Sequence, residues 1–274
     1  MNGVYTMLGD EGYGSYRLED GRFERCSDAP TGLLTPGFVD IHIHGAFGID
    51  AMTASTEDFK VLGKRLRANG YEGYLPTTVT APATQVQSFL DALPTDDPMI
   101  LGFHLEGPFI SPAFPGAQPP QHIVKPPVPG DGWDAILDDP RLKVITMAPE
   151  IPGALELILR LNQRGVIVSM GHTNATYEEA RRGFEFGARH TTHTFNAMRG
   201  FHHREAGTVG YALANPDLTC ELIYDRLHVC PDSARILLQV KGACNVIAVS
   251  DSTAATELPP GTPLTMWGHP VDVG

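Results

Sequence analysis

Apolar runs alternate along the chain with segments whose apolar residues recur at helical spacing. Turn residues bound each run, and most of the segments between runs are apolar on one side and polar on the other. This alternation is typical of β-α units that stack into a parallel sheet. The predicted strands lie near 36–43, 73–80, 98–105, 142–148, 166–171, 189–194, 220–224 and 245–250. The predicted helices lie near 55–69, 83–93, 153–164, 175–186 and 231–240.

Eight such strands in a chain of 274 residues predict an α/β fold with one closed (β/α)8 TIM-like barrel, assigned to residues 36–274. Residues 1–35 fit a few short antiparallel strands, which are too few to fold alone. The segment 108–132 is rich in proline and glycine and follows a strand, where a barrel carries its active-site loops. The chain stops soon after the eighth strand, so we expect either an unusual closure or a C-terminally truncated barrel.

Composition argues against a polyanionic or membrane partner. The net charge is −12, with 20 Lys and Arg and no basic run, so nucleic acid is not an expected partner. No run approaches the roughly 18 apolar residues that a membrane span needs. Residues 1–14 lack the features of a secretory signal, and the four cysteines form no C-x-x-C pair. We therefore expect a cytoplasmic protein without a disulfide framework.

Two histidines lie on the same face of the first predicted barrel strand. Side chains alternate along a strand, so His42 and His44 point one way while Ile41 and Ile43 point the other. Half-exposed strands also carry alternating polar residues by chance. The pair alone therefore does not establish a metal site, and the rest of the chain has to decide.

Four further candidate residues follow other predicted strands. Glu106 precedes a Gly-Pro pair, His172 and His193 end the fifth and sixth strands, and Asp251 closes the eighth. Taken singly, Glu106 could cap a turn, each histidine could be a hydrogen-bonded polar residue without a metal, and Asp251 could cap the next helix. All of them, however, lie at the carboxyl ends of strands, where barrels form their active sites. The coincidence predicts one shared site.

Imidazole and carboxylate groups are the ligands that Zn²⁺ and comparable divalent ions accept, and a catalytic site keeps one position open. A bound ion polarises a carbonyl and lowers the pKa of water, which are the two requirements for hydrolysing an amide. Asp251 is then expected to act as the general base that takes a proton from water and returns it to the leaving amine.

These residues resemble the amidohydrolase superfamily and, more narrowly, its N-acetylglucosamine-6-phosphate deacetylases. The broader resemblance rests on His42-x-His44, the histidines of strands five and six, and Asp251. The narrower one rests on His104-Leu105-Glu106-Gly107-Pro108, Gly171-His172-Thr173-Asn174-Ala175-Thr176, Thr192-His193-Thr194-Phe195-Asn196-Ala197-Met198 and His203-Arg204-Glu205-Ala206-Gly207. It implies hydrolysis of the acetamide of N-acetylglucosamine 6-phosphate to glucosamine 6-phosphate and acetate, in amino-sugar catabolism.

The resemblance also implies a ligand set. One divalent metal would be held by Glu106, His172 and His193, and a second by His42 and His44 with Glu106 bridging, so one or two ions are expected per subunit. Zn²⁺ or Fe²⁺ is expected, and Co²⁺ or Mn²⁺ would also suit these ligands.

For the substrate, the resemblance implies His228 near the carbonyl and the sugar, as both a catalytic and a substrate-binding residue, and Asn196, Ala197 and Arg204 around the sugar phosphate. An arginine is well suited to grip a phosphate as a bidentate fork. In the family this arginine can come from a neighbouring subunit, so a homodimer is implied. The small-molecule partner would be the sugar phosphate.

Three departures from the family pattern bear on these expectations. Gln118 stands where a histidine is usual, so one sugar or phosphate contact is weakened or replaced. Arg226 stands where the family prefers glycine, and it could add an anion contact or alter specificity. Family members also continue beyond the eighth strand to complete a small β-sandwich from both termini, so residues 1–35 are expected to form an incomplete one.

Two other functions stay open on the sequence. The chain could hydrolyse another amide, such as an N-acyl amino acid or a cyclic amide, and Arg204 separates this alternative from a phosphorylated sugar. It could also be a non-catalytic protein that binds sugar phosphates. Of the remaining histidines, His104 is a candidate for supporting the site because it shares a strand face with Glu106, whereas His190 is expected to be structural.

Overall fold

A computed structural model of the chain describes residues 3–9, 12–128, 130–267 and 269–273. These residues form two compact units, which divide between Phe38 and Val39. None of the helices in these ranges is both long and apolar enough to cross a membrane.

The first unit is one four-stranded sheet. Its strands are β1 (Gly3–Gly9), β2 (Gly12–Glu19), β3 (Arg22–Cys26) and β4 (Gly32–Leu33), in the order β3-β2-β1-β4. The first three pair antiparallel, as the sequence predicts, whereas the short β4 pairs parallel to β1.

The second unit contains a parallel sheet of six strands. Two strands from the start of the unit, β5 (Phe38–Ile43) and β8 (Tyr71–Pro76), pair with each other, and β6 (Gly45–Ala46) and β7 (Ile49–Asp50) form a small hairpin. The six-stranded sheet has the order β14-β13-β12-β11-β10-β9. Its strands are β9 (Phe103–Glu106), β10 (Leu142–Met147), β11 (Ile167–Met170), β12 (His190–Thr191), β13 (Thr219–Ile223) and β14 (Val246–Val249).

Hydrogen bonds continue beyond both edges of the six-stranded sheet. On the β9 edge, the backbone N–H of Thr78, just after β8, donates to the carbonyl of His104 over 3.0 Å. On the β14 edge, the N–H of Asp251 donates to the carbonyl of His42 over 3.0 Å, and that of His44 donates to Ser252 over 2.8 Å. The carboxyl ends of β5, β9 and β14 therefore lie close together.

Helices connect most of these strands. They are α1 (Thr56–Ala68), α2 (Ala83–Ala92), α3 (Asp134–Leu137), α4 (Ala154–Gln163), α5 (Tyr177–Phe186), α6 (Gly207–Ala214) and α7 (Pro231–Lys241). Short 3-10 turns cover Pro120–His122 and Ala243–Asn245, and a hairpin of β15 (Pro263–Met266) and β16 (His269–Asp272) follows β14.

Each predicted strand and helix region contains an element of the predicted type, and the differences have local causes. The strand predicted at 189–194 is only His190–Thr191, because the chain turns at His193, where φ is 28°. Helix α6 was not predicted. Its residues are small or apolar on every side and it buries Gly207 to Ala212, so it lacks the polar face by which an amphipathic helix is recognised.

The helices that follow β11 and β13 begin with different start signals. The Thr176 hydroxyl accepts a hydrogen bond from the N–H of Glu179, and the Glu179 carboxylate accepts one from the N–H of Thr176, which makes a capping box at the start of α5. Helix α7 begins with Pro231, whose fixed φ suits a first helical position. The helices and the six-stranded sheet bury most of their apolar residues in one large core, in which Phe89 and Phe103 meet edge to face at 6.1 Å. A second, smaller cluster contains Leu62 and Leu66 of α1 with Ile43 and Tyr74.

Candidate metal centre

Six predicted residues converge at the carboxyl ends of the strands. We call them the ligand cluster: His42, His44, Glu106, His172, His193 and Asp251. His42 and Glu106 lie within β5 and β9, and each of the other four follows a strand by one or two residues. Two parts of the cluster, which share no residue, have the composition and spacing to hold a metal ion: His42 with His44 and Asp251, and Glu106 with His172 and His193.

Glu106 lies at the centre of the ligand cluster and contacts both parts. Its Oε1 is 3.1 Å from Nε2 of His172 and 3.1 Å from Nε2 of His193. The same oxygen is 3.4 Å from Nε2 of His42, while Oε2 is 3.2 Å from Nε2 of His44. A carboxylate in this position can offer an oxygen to each of two ions.

Backbone carbonyls fix two of the rings. Nδ1 of His44 lies 3.2 Å from the carbonyl oxygen of Thr77, and Nδ1 of His172 lies 3.1 Å from that of Phe114. A carbonyl only accepts, so each Nδ1 carries the proton that it donates. When the ring is neutral, its Nε2 lone pair is then directed into the ligand cluster, as a metal ligand requires.

The ring nitrogens face one another in pairs. Nε2 of His42 is 3.3 Å from Nε2 of His44, and Nε2 of His172 is 3.2 Å from Nε2 of His193. Oδ1 of Asp251 lies 3.2 Å from Nε2 of His44. Facing lone pairs and carboxylate oxygens repel one another unless they share protons or a cation, so this donor set fits a divalent ion.

The electrostatics of the ligand cluster favour positive charge at its centre. Burial acts to lower the pKa of His44, but hydrogen bonds to Asp251 and Glu106 raise it to about 9. Burial opposes the charged form of His42 too, yet the Asp251 and Glu106 carboxylates hold its pKa well above the usual value. Conversely, burial would raise the pKa of Glu106, and the neighbouring His42 and His172 hold it well below its ordinary range.

Three members of the ligand cluster adopt a left-handed backbone. The φ angles are 46° at His172, 28° at His193 and 48° at Asp251. Such conformations cost about 1–3 kcal/mol for residues other than glycine and are concentrated at functional sites. The chain therefore accepts strain at the three points where it leaves β11, β12 and β14.

Gln118 lies against Glu106. Its side chain is buried, with Nε2 donating to Oε2 of Glu106 over 2.5 Å and Oε1 accepting from the N–H of Thr80 over 2.7 Å. Gly107 is required beside it, because φ is 71° there and a Cβ would lie 2.1 Å from Oγ1 of Thr80. The amide of Gln118 is thus engaged with the ligand cluster, and its contact with a sugar or phosphate stays a prediction.

Glu221, on β13, was not predicted from the sequence. Its carboxylate is fully buried: Oε2 lies 2.9 Å from Nδ1 of His42 and accepts the N–H of His193 over 2.9 Å, while Oε1 lies 3.2 Å from Nε2 of His190. Burial would raise the pKa of Glu221, but His42 and His190 hold it well below the usual value. Its one signal in the sequence is its position, because an acidic residue stands there between Cys220 and the apolar Leu222 and Ile223 of a predicted strand.

His104 supports the cluster from the side. Its Nδ1 lies 3.0 Å from the carbonyl oxygen of Ile41, its Nε2 lies 2.7 Å from Oγ1 of Thr146, and its ring meets His42 edge to face at 4.6 Å. Burial lowers the pKa of His104 to about 3, so the ring is neutral. His42, His104 and Glu221 are also close enough together to hold an ion, but both ring nitrogens of His104 are already engaged.

Apart from Gln118, the predicted substrate residues lie on two segments, 196–204 and 225–228, which we call the substrate loops. Asn196 donates to the carbonyl of His193 from its backbone N–H over 2.9 Å and from its side chain over 3.2 Å. The carbonyl of Ala197 accepts the N–H of Thr173 over 3.1 Å, and φ at Ala197 is 48°. These bonds connect one substrate loop to the turns that carry His172 and His193.

Arg204 and His228 face solvent. Arg204 is exposed, and its guanidinium forms no ion pair with any of the residues that the structure describes. The side chain of His228 is 56% exposed, and its Nδ1 lies 2.6 Å from Oδ2 of Asp225. Neither residue contacts the ligand cluster in the part of the chain that is described.

Residues 33–257 match the model of the amidohydrolase family. The chain belongs to this family. A Lysinibacillus sphaericus relative named N-acetylglucosamine-6-phosphate deacetylase is 37% identical over 236 residues, covering 84% of this amidohydrolase and 61% of the relative. An Escherichia coli O157:H7 relative named N-acetylgalactosamine-6-phosphate deacetylase is 33% identical over 247 residues, covering 88% of this chain and 65% of the relative.

The similarity extends to solved structures. A mutant N-acetyl-D-glucosamine-6-phosphate deacetylase from Mycobacterium smegmatis, solved in complex with N-acetyl-D-glucosamine-6-phosphate, superposes with a TM-score of 0.84 at 29% identity. The match covers all of this amidohydrolase and 76% of that chain. The family and this neighbour imply a TIM-like barrel. The chain spans less than two thirds of the length of the two relatives described above.

Proposed function

We propose that this amidohydrolase removes acetate from N-acetylglucosamine 6-phosphate in a metal-dependent reaction of amino-sugar catabolism. The observation that carries the proposal is the arrangement around Glu106, whose two carboxylate oxygens meet four histidine Nε2 atoms at 3.1–3.4 Å. The names of the similar proteins support this choice of substrate.

We assign the ligand cluster to two divalent ions. Glu106, His172 and His193 would hold one, and His42 and His44 would hold the other, with Glu106 bridging. Zn²⁺ or Fe²⁺ fits these nitrogen and oxygen donors best, and Co²⁺ or Mn²⁺ is also compatible. Such an ion supplies Lewis acidity, which polarises an amide carbonyl and lowers the pKa of water.

Asp251 is the proposed general base and acid. Its side chain is 22% exposed, against 2% for Glu106, so it can meet both water and substrate. Burial would raise the pKa of Asp251, but His42 and His44 lower it, which keeps the carboxylate ready to accept a proton. The water oxygen bonds to the carbonyl carbon, Asp251 takes the proton, and the same proton passes to the amine nitrogen as the C–N bond breaks.

The substrate loops are the proposed site for the sugar phosphate. His228 would orient the carbonyl and the sugar, with Nδ1 held by Asp225 and Nε2 free to act. Asn196 and Ala197 would contact the phosphate, and the Arg204 guanidinium would grip it as a fork. In the proposed homodimer this arginine comes from the neighbouring subunit, which is consistent with its exposure here.

We propose that β5, β8 and the six-stranded sheet close into one eight-stranded barrel. The hydrogen bonds from Thr78 to His104 and from Asp251 to His42 support closure, because they join β8 and β5 to opposite edges of the sheet. Residues 36–274 would then be the hydrolase barrel, and residues 1–35 part of an incomplete β-sandwich.

The test measures acetate release from N-acetylglucosamine 6-phosphate. We expect chelation to abolish release, a divalent metal to restore it, and Asp251→Asn to lower it about 10²–10⁴-fold while metal content stays the same. Glu257→Gln, which changes an exposed carboxylate outside the ligand cluster, is the matched control. An unchanged rate in Asp251→Asn would rule out the proposed base.

Parallel assays separate the alternative substrates. The 4-epimer, N-acetylgalactosamine 6-phosphate, is tested beside the gluco substrate because one relative bears that name. Arg204→Ala should raise KM for a phosphorylated sugar roughly 10–100-fold and leave KM for an N-acyl amino acid or a cyclic amide unchanged. Binding of the sugar phosphate without acetate release would instead indicate a non-catalytic binding protein.

A further inference from the structure

Glu221 contacts both parts of the ligand cluster without belonging to either. Its Oε2 lies 2.9 Å from Nδ1 of His42, one proposed ligand of one ion, and 2.9 Å from the backbone N–H of His193, a proposed ligand of the other. We propose that Glu221 is a positioning residue that orients a ligand in each of the two metal sites. This inference rests on the proposed function, because it assumes that the ligand cluster binds metal.

The first step of the argument is the tautomer of His42. A peptide N–H can only donate, so Oε2 of Glu221 acts as an acceptor towards His193. A carboxylate has no proton of its own to give, so it accepts from Nδ1 of His42 as well. The proton of a neutral His42 ring therefore lies on Nδ1, and Nε2 is left as the metal-binding atom.

The second step is the turn at His193. This residue has a φ of 28°, and the strand of its segment ends at Thr191. The bond from the His193 N–H to Glu221 and the bond from the Thr194 N–H to the carbonyl of Glu221 over 2.9 Å hold the strained turn from one side. Glu221 thus fixes the backbone from which the His193 ring reaches Glu106.

The third step is the difference between the two oxygens of Glu221. Oε2 faces the two proposed ligands, whereas Oε1 lies 3.2 Å from Nε2 of His190, which is not a member of the ligand cluster. All three partners lie in the buried interior, where a hydrogen bond to a charged group is stronger than in water. A change at His190 can therefore serve as a control, because it removes a partner of the same carboxylate that is not a proposed metal ligand.

The test is a metal titration of the 274-residue chain after metal removal, with Zn²⁺ in competition with a chromophoric chelator. Glu221→Gln should weaken Zn²⁺ binding about 10–100-fold, as expected when a charged partner of a metal-ligating histidine is lost. His190→Gln, the matched control, should change the affinity by less than about threefold. Thermal unfolding of both variants in chelator measures any damage to the fold in the absence of metal.

Wild-type affinity in Glu221→Gln, or an equal loss of affinity in His190→Gln, would overturn the inference. A wild-type protein that binds no divalent ion would instead contradict the proposed function, so the two failures are distinguishable. Should Glu221→Gln not fold, nitrogen NMR of the Zn²⁺-loaded wild-type protein decides. The signal of His42 is assigned as the one that disappears in His42→Asn. The inference requires that this ring carries its proton on Nδ1, and a proton on Nε2 would refute it.

Discussion

The ligand cluster is enclosed, whereas the two substrate-loop residues that would meet the sugar phosphate most directly face solvent. The side chains of His42 and Glu106 are 0% and 2% exposed, while that of His228 is 56% exposed. Each ring of the cluster except His193 has its outer nitrogen engaged with a carboxylate or a carbonyl. His228 has one local partner, Asp225, three residues away.

The difference corresponds to two requirements of the proposed activity. Groups that act on the scissile bond need fixed geometry, which burial and long-range hydrogen bonds supply. Groups that recognise the rest of the substrate need access, which loops at the surface supply. Changes at the proposed metal ligands should therefore alter metal binding and turnover together, a change at Asp251 should alter turnover alone, and a change at Arg204 should alter substrate affinity.

The largest effect is expected for Glu106→Gln. Gln keeps the shape of the side chain but removes the charge that both proposed ions share, so we expect acetate release to fall at least about 10³-fold and metal content to drop. Elemental analysis and the acetate assay measure both quantities. Glu178→Gln, an exposed glutamate paired with Arg181, is the control. Full metal content in Glu106→Gln would show that this carboxylate is not a shared ligand.

Replacing His42 and His44 together with asparagine comes next. Because these rings belong to one of the two parts of the cluster, the double variant should lose one of two metal equivalents per chain and retain the other. Metal titration with elemental analysis counts the equivalents. A wild-type protein with one equivalent, unchanged in the double variant, would remove these histidines from the ligand set.

The sequence predicted the ligand cluster because strand ends can be read from apolar runs. His172, His193 and Asp251 each follow such a run, and parallel strands bring their carboxyl ends to one side. Two features could not be read in this way. The left-handed turns at these residues depend on the surrounding structure, and the contact of Glu221 with His42 joins residues 179 positions apart. Sequence spacing carries no information about such a pair.

A smaller effect concerns pH. In the metal-free protein the pKa of His44 is raised to about 9, so at neutral pH this ring carries a proton that a metal ion has to displace. Metal affinity should therefore rise with pH between about 6 and 8, roughly tenfold per unit for each proton released. Zn²⁺ titrations in buffers of constant ionic strength measure the slope. His228→Asn, in a substrate loop, should leave the slope unchanged, and a flat profile in the wild type would contradict the prediction.

The smallest effect should come from a substrate loop. Arg226 has a φ of 69°, and Asp225 holds this turn by accepting the N–H groups of Leu227 and His228 over 2.8 and 2.9 Å. This conformation costs a residue with a Cβ roughly 1–2 kcal/mol, and glycine removes that cost. Glycine also loses more backbone entropy on folding, which offsets roughly 0.5–1 kcal/mol of the gain. Arg226→Gly should therefore stabilise the fold by about 0.5–1 kcal/mol, and thermal unfolding should show a Tm about 1–4 °C higher.

Arg235→Gly is the matched control for Arg226→Gly, because Arg235 lies within α7, where glycine weakens a helix by about 1 kcal/mol. The same change of side chain is therefore expected to act in opposite directions at the two positions. Metal content should be unaffected by Arg226→Gly, since the turn lies outside the ligand cluster. A Tm that falls equally in both variants would mean that Asp225 does not hold the turn in its left-handed form, and the orientation of His228 would then lack its structural basis.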